Sequence, residues 1–195
     1  MEIEQYLWGA SAEGEGILLY TLRCAGGREV RLSNAGAAVT GIFAAGADGR
    51  SEALTPVFET PEALLADYAD RGKTLCANRY GFGQRIWQSR VETDRVVFSL
   101  FSPDGDQGYP GDLNAEVVYD WNDDCELEIT LYARTSAPTV VNLTNHAYFN
   151  LRGEAEGGAL ENVLKLNASC FLETDADQIT TGRRTPVEGA PMDFR

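Results

Sequence analysis

His146 is the only histidine in this chain of 195 residues, so any imidazole chemistry rests on that one side chain. A Ser-His-Asp set, a Cys-His pair or a histidine-bearing metal site must use it or do without. It lies in the stretch Pro138-Thr139-Val140-Val141-Asn142-Leu143-Thr144-Asn145-His146-Ala147-Tyr148-Phe149-Asn150-Leu151. Side chains alternate faces along extended backbone. Thr139 to Leu151 is therefore expected to be a β-strand with Asn142, Thr144, His146, Tyr148 and Asn150 on one polar face. Val141, Leu143, Ala147, Phe149 and Leu151 point the other way, with Asn145 the only interruption. A solvated outer face is usually dressed in Lys and Glu, whereas this one carries no formal charge. Amides, a hydroxyl, an imidazole and a phenol supply donors, acceptors and an aromatic plane, which suits a neutral polyhydroxyl ligand.

Two further segments are dense in functional side chains. Ser102-Pro103-Asp104-Gly105-Asp106-Gln107-Gly108-Tyr109-Pro110-Gly111-Asp112 holds two prolines, three glycines and three acids, the composition of a loop. Its spacing is not that of an EF-hand, since no bidentate Glu closes a twelve-residue loop. A structural connection between two strands is the expectation. The other segment is Cys76-Ala77-Asn78-Arg79-Tyr80-Gly81-Phe82-Gly83-Gln84-Arg85-Ile86-Trp87. Gly81-x-Gly83 is too short for a phosphate loop, and no Gly-Lys-Ser/Thr follows. Asn78 and Arg79 beside aromatics have the donors for sugar hydroxyls. Arg79 is equally suited to pairing with one of the many surface acids.

The elements that must position these residues read as all-β, because period-two patterning broken by turn residues runs through most of the chain. Ile17 to Cys24 is a first strand, turned by Gly26-Gly27 into Glu29 to Ser33. Ala38 to Ala44 is another. Thr60-Pro61-Glu62 offers an N-cap, a proline at the first helical position and a first-turn acid, predicting one short helix over 61–69 stopped by Arg71-Gly72. Val91 to Phe101 reads as one strand. Leu113, Ala115, Val117, Tyr119 and Trp121 form the apolar side of the next, Asn122-Asp123-Asp124 a turn, and Leu127, Ile129, Leu131 and Ala133 the apolar side of its return. Alternating strands joined by short turns favour a sandwich over a βαβ fold. Neither repeat nor linker interrupts the chain, so 1–195 is read as a single domain.

Composition narrows the classes of partner. Hydrophobic residues make up 44% and charged residues 24%, ordinary for a soluble globular protein. A formal charge of −14 argues against nucleic acid and anionic membrane surfaces, both of which need a positive field, and fits a neutral ligand better than a polyanion. The four cysteines, at 24, 76, 125 and 170, show none of the close spacings of a zinc site. Four reduced thiols in a reducing compartment are expected, and no metal or other cofactor. With no leader pattern at Met1 to Gln5 and no long apolar run, the expected location is cytoplasmic.

With these segments in view, Val141 to Leu151 resembles the signature strand of the aldose 1-epimerase (galactose mutarotase) family. Ser102-Pro103-Asp104-Gly105 with Gly108-Tyr109-Pro110-Gly111 resembles a second hallmark of that family. Ala77-Asn78-Arg79 is similar to its substrate-binding segment, and Gly189 to Arg195 to its Gly-x-Pro-x-Asp-Phe-Arg stretch. The four occur in family order. The resemblance implies a large antiparallel β-sandwich and interconversion of the α and β anomers of hexoses such as glucose and galactose. It puts His146 in the place of the general acid and Asn78, Arg79 and Tyr148 at positions that contact substrate. Two departures accompany it. Arg79 is followed almost at once by Tyr80-Gly81-Phe82, where the family has a hairpin and a second histidine. The stretch that bears the family's glutamate base and a substrate-binding aspartate has no counterpart before Arg195. The resemblance therefore implies an incomplete sandwich, a weak or inactive isomerase as this chain, and self-association invited by uncovered edges. The alternatives are a noncatalytic carbohydrate-binding module and an interaction domain completed by a partner chain.

Overall fold

Period-two patterning becomes two antiparallel meanders in the computed structural model, which describes all residues except 1, 25, 47, 68, 70, 76–80 and 155–157. The described residues form two compact units, Met1–Ala159 and Leu160–Arg195.

In the first unit, β1 (Glu2–Ala10), β2 (Gly16–Arg23), β3 (Glu29–Ser33), β4 (Ala38–Ala45) and β5 (Ser51–Ala53) form one five-stranded sheet in sequence order. The helix α1 covers Pro61–Leu65, with the Thr60 hydroxyl accepting from the Ala63 amide at 3.2 Å. It is shorter than the expected 61–69. The Asp67 carboxylate takes the Arg71 amide at 2.7 Å and its guanidinium at 3.0 Å, folding the chain back before Arg71-Gly72. A two-residue strand β6 (Thr74–Leu75) follows. Then β7 (Gln88–Val91), β8 (Arg95–Ser102), β9 (Leu113–Trp121) and β10 (Leu127–Thr135) build a four-stranded sheet of order β10-β9-β8-β7.

The expected single strand from Val91 to Phe101 is thus two. Glu92 to Asp94 makes a tight hairpin in which the Glu92 amide donates to the Arg95 carbonyl at 2.9 Å, and Val91 pairs with Val96. The three polar residues find water at a turn more easily than within a strand. The β9–β10 pair follows its alternation closely: Trp121 lies opposite Leu127, Tyr119 opposite Ile129 and Val117 opposite Leu131.

The inward faces of the two sheets enclose one core that includes Tyr20, Leu22, Val30 and Leu32 from the first sheet and Val96, Phe98, Val117 and Tyr119 from the second. Phe98 stacks edge-on against both Tyr20 (5.5 Å) and Tyr119 (5.8 Å). Aromatic pairs of this geometry add about 0.5–1.5 kcal/mol beyond area burial. Two antiparallel sheets sharing an apolar interior form a β-sandwich, as the patterning requires.

The segment from Thr139 to Leu151 departs from expectation. Only β11 (Thr144–Asn145) pairs, antiparallel to β6, with Thr144 opposite Leu75 and Asn145 opposite Thr74. The remainder carries no strand pairing among the described residues, and Val140, Phe149 and Leu151 stand exposed. Alternation alone fixes an extended course; a long strand also needs a partner along its whole length.

Cys24, at the end of β2, and Cys125, in the β9–β10 turn, are joined by a disulfide with Cα atoms 6.5 Å apart. This corrects the expectation of four reduced thiols, because residues far apart in sequence meet where the two sheets close. Cys170 is free and exposed, and Cys76 lies outside the described residues. The second unit contains the hairpin of β12 (Cys170–Thr174) and β13 (Thr180–Pro186).

Candidate functional site

His146 is held mainly through its backbone. Its amide donates to the Lys73 carbonyl at 3.0 Å, and its carbonyl accepts from the Gly72 amide at 2.9 Å, extending the β6–β11 pairing. Gly72 also receives the Asn145 side-chain amide on its carbonyl at 2.8 Å, while that carbonyl accepts from the Val39 amide at 2.9 Å. Only glycine suits this crossing: its φ is +76°, and a Cβ would fall 2.0 Å from the Val39 carbonyl oxygen.

Asn145 secures the same stretch from inside. Its Nδ2 donates to the Tyr119 hydroxyl at 3.1 Å, and its Oδ1 accepts from the Ala147 amide at 3.1 Å. The Tyr119 hydroxyl in turn donates to the Ala37 carbonyl at 2.7 Å, which also accepts from the Thr74 hydroxyl at 3.0 Å. Burial pushes the Tyr119 phenol up from 10.0 to about 12, so it remains a neutral donor at working pH. Each polar atom in this chain of contacts is met by a partner, the condition for a buried network to fix one conformation.

The rings of His146 and Tyr148 lie 5.0 Å apart at an interplanar angle of 51°. Tyr148 is half exposed, and His146 Nδ1 is buried without a hydrogen-bond partner among the described residues. This leaves an imidazole with unused hydrogen-bonding capacity beside an accessible phenol ring, held on a fixed backbone. Such a pair can exchange a proton and lie against the CH face of a sugar.

The rest of the expected polar face divides. Asn142 lines a pocket with Thr139 and the loop between β8 and β9, and that pocket includes neither His146 nor Tyr148. Thr144 is exposed. Asn150 makes a turn, donating to the Gly153 carbonyl at 2.8 Å and accepting from the Arg152 amide at 3.2 Å. Asn78 and Arg79 lie outside the described residues.

The loop from Pro103 to Asp112 uses its acids on its own structure. Asp104 accepts from the Gly111 amide at 2.5 Å, and Asp112 from the Asp104 amide at 2.9 Å. Asp106 accepts from the Ser102 hydroxyl at 2.5 Å and pairs with Arg85 at 2.6 Å. The hydroxyl first, and then the guanidinium, hold its carboxyl below the usual carboxylate value. No group of three or more His, Cys, Asp or Glu placed to hold a metal occurs among the described residues. In the second unit, Asp193 and Arg195 form a two-point ion pair with both contacts at 2.8 Å, which lowers the Asp193 carboxyl to about 2.

Asn145 and Tyr119 escaped the sequence reading as parts of the site. One was an exception on an apolar face, the other a member of an apolar series. Their signal was available: an amide at an inward position and a phenol in a buried series both need partners.

Comparison with known proteins agrees with this architecture. Residues 18–195 match the aldose 1-epimerase family model. The galactose mutarotase of Homo sapiens is 42% identical over 115 residues, which are 59% of this chain and 33% of that protein. The aldose 1-epimerase of Escherichia coli (strain K12) is 42% identical over 116 residues, with the same two shares. The chain thus matches about a third of the length of these curated relatives. Among solved structures, an aldose epimerase homologue from C. elegans superposes with a TM-score of 0.78 at 27% identity, over 90% of this chain and 63% of its own. Galactose 1-epimerase from Lactobacillus acidophilus NCFM gives 0.82 at 21% identity, over 100% and 65% respectively, a likeness of fold. The sandwich is mutarotase-like, and with the family model covering nearly all of it, the chain belongs to the aldose 1-epimerase family.

Proposed function

We propose that this chain binds a hexose such as glucose or galactose on the His146–Tyr148 face, with weak or no anomer interconversion as it stands. The observation that carries the proposal is the His146–Tyr148 pair, its rings 5.0 Å apart on a backbone fixed by Gly72, Lys73 and Asn145. Opening a pyranose ring needs a base for the anomeric hydroxyl proton and an acid for the ring oxygen; rotation about C1–C2 and reclosure give the other anomer. His146 takes the acid's part, Tyr148 contacts the sugar, and Asn78 and Arg79 supply further hydroxyl contacts.

The base is the weak point. The family resemblance assigns it to a glutamate with no counterpart among the acids of this chain, and a second histidine to a hairpin that Arg79 is not followed by. A general acid or base contributes about a hundred- to ten-thousand-fold, so turnover falls steeply without one. Polarimetry with α-glucose and α-galactose tests this: slow or undetectable mutarotation is expected. Turnover near that of a complete enzyme, abolished by His146→Ala, would overturn it. Saturable hexose binding in calorimetry without anomer exchange favours a carbohydrate-binding module, whereas no binding at millimolar sugar removes the hexose reading.

A second reading, an interaction domain completed by another chain, draws support from the apolar side chains exposed along the Thr139 to Leu151 segment.

A further inference from the structure

We propose that the pocket between the β8–β9 loop and residues 139–142 is a second ligand site, one that takes a short neutral polyol arm. The cavity measures about 70 Å³. A buried water needs about 10–15 Å³, so the space holds roughly five waters or a ligand of similar heavy-atom count. Ser102, Asp106, Gln107, Tyr109, Thr139 and Asn142 bring polar side chains to its lining, while Phe82, Leu113 and Val140 add apolar wall.

Two observations separate this pocket from an incidental gap. The Thr139 hydroxyl is buried and has no hydrogen-bond partner among the described residues. A buried polar atom left unmet is costly, and a hydroxyl-bearing ligand would relieve it. Gln107 adopts φ +52° and ψ +23°, a left-handed conformation rare for a residue other than glycine or asparagine. Glycines on either side of it, Gly105 and Gly108, carry the turn that keeps it there. Strain of this kind persists where surrounding structure over-determines it, often at ligand contacts.

The charge in the wall is already satisfied. Asp106 is engaged by the Ser102 hydroxyl at 2.5 Å and by Arg85 at 2.6 Å, so the carboxylate in the wall is already met. A neutral ligand fits that surface. Hydroxyls on adjacent carbons match the polar groups, and the intervening CH groups lie against the apolar wall. Free glycerol and the terminal arm of a hexitol both present this chemistry.

The test is NMR titration of the full ¹⁵N-labelled chain with glycerol, galactitol and 1-propanol, following the Gln107 and Asn142 side-chain amides and the Thr139 backbone amide. Saturable shifts with glycerol but not 1-propanol are expected. Saturation by galactitol as well assigns the arm of a larger polyol, and saturation by glycerol alone assigns the free triol. Thr139→Val should weaken binding about tenfold, the worth of one hydrogen bond, and Thr139→Ser should restore it. His146→Ala should leave these shifts in place, so loss of the hexose site and loss of this pocket read out separately. Unsaturated shifts with both polyols, equal response to 1-propanol, or unchanged affinity in a folded Thr139→Val would overturn the proposal.

Discussion

The Asn145 side-chain amide donates to the Tyr119 hydroxyl at 3.1 Å, joining the backbone beside His146 to the core strand β9. The same amide reaches the Gly72 carbonyl, and its oxygen takes the Ala147 amide, so one residue makes three bonds around the histidine. At about 1 kcal/mol each, Asn145→Ala should cost about 2–4 kcal/mol in urea unfolding, the upper figure including groups left unpaired. The His146 ring resonances should shift in the same variant. A folded Asn145→Ala with wild-type stability and an unchanged His146 spectrum would show that the contact positions nothing.

Tyr119 gives the fold an alkaline limit. Burial raises its phenol from 10.0 to about 12, so between those values the folded state keeps a proton that the unfolded chain has lost. The stabilisation is complete below pH 10 and disappears as pH rises toward 12, on the order of 2–3 kcal/mol. Tyr20 is raised in the same direction, by burial. Tyr119→Phe should lose about 1–2 kcal/mol at neutral pH and then show a shallower alkaline decline than the parent. Equal slopes for the two proteins in urea unfolding at pH 9 and pH 11 would contradict this.

The legible parts of the fold are those where local pattern and tertiary context agree. In Leu113–Trp121 strict alternation meets a two-sided environment, and the expected face is the buried one; along Leu127–Thr135 the expected face is part-buried at Leu127, Ile129 and Leu131 but exposed at Ala133. Thr60-Pro61 announced the helix start through a local hydrogen bond, but its end depended on Asp67 turning to Arg71. Strand β1 was invisible because an edge strand with both faces largely exposed needs no clear alternation. In the candidate site, His146 and Tyr148 share a side as alternation requires, whereas Asn150 is consumed by a turn that period-two counting does not register. The pairing of Cys24 with Cys125 is a property of sheet packing and had no sequence signal at a separation of 101.

Asp106 should make the loop acid-sensitive. Its carboxyl is held below the usual carboxylate value, chiefly by the Ser102 hydroxyl, so the folded state favours the ionised form. That contribution is present above about pH 4 and is lost as pH falls through the lowered folded value. Asp106→Asn, which removes the charge facing Arg85, should flatten this acid dependence in unfolding experiments between pH 5 and pH 2. An unchanged acid profile would place the dependence elsewhere.

The Cys24–Cys125 link should be measurable in stability and in chemistry. It closes a loop with a sequence separation of 101, for which the chain-entropy argument sets an upper value near 5 kcal/mol. Cys125→Ser should therefore lower the unfolding free energy by about 2–5 kcal/mol. Peptide mapping without reductant should recover the 24–125 pair and alkylate Cys170. Alkylation of Cys24 before reduction would remove the link.

The uncovered segment around β11 should drive self-association. Val140, Phe149 and Leu151 are 74%, 53% and 66% exposed, and strand pairing there is limited to Thr144–Asn145 among the described residues. Apolar side chains beside incompletely paired backbone are an open surface for another chain. A formal charge of −14 opposes association at low ionic strength, and salt screens that repulsion. Sedimentation velocity should accordingly show a coefficient that rises with protein concentration, more steeply at high salt. Phe149→Ser with Leu151→Lys should reduce the effect while leaving the sandwich core intact, because neither side chain belongs to the buried cluster between the sheets. A strictly monomeric species at all concentrations and salt levels, with a cooperative melt, would show that this surface attracts no second copy.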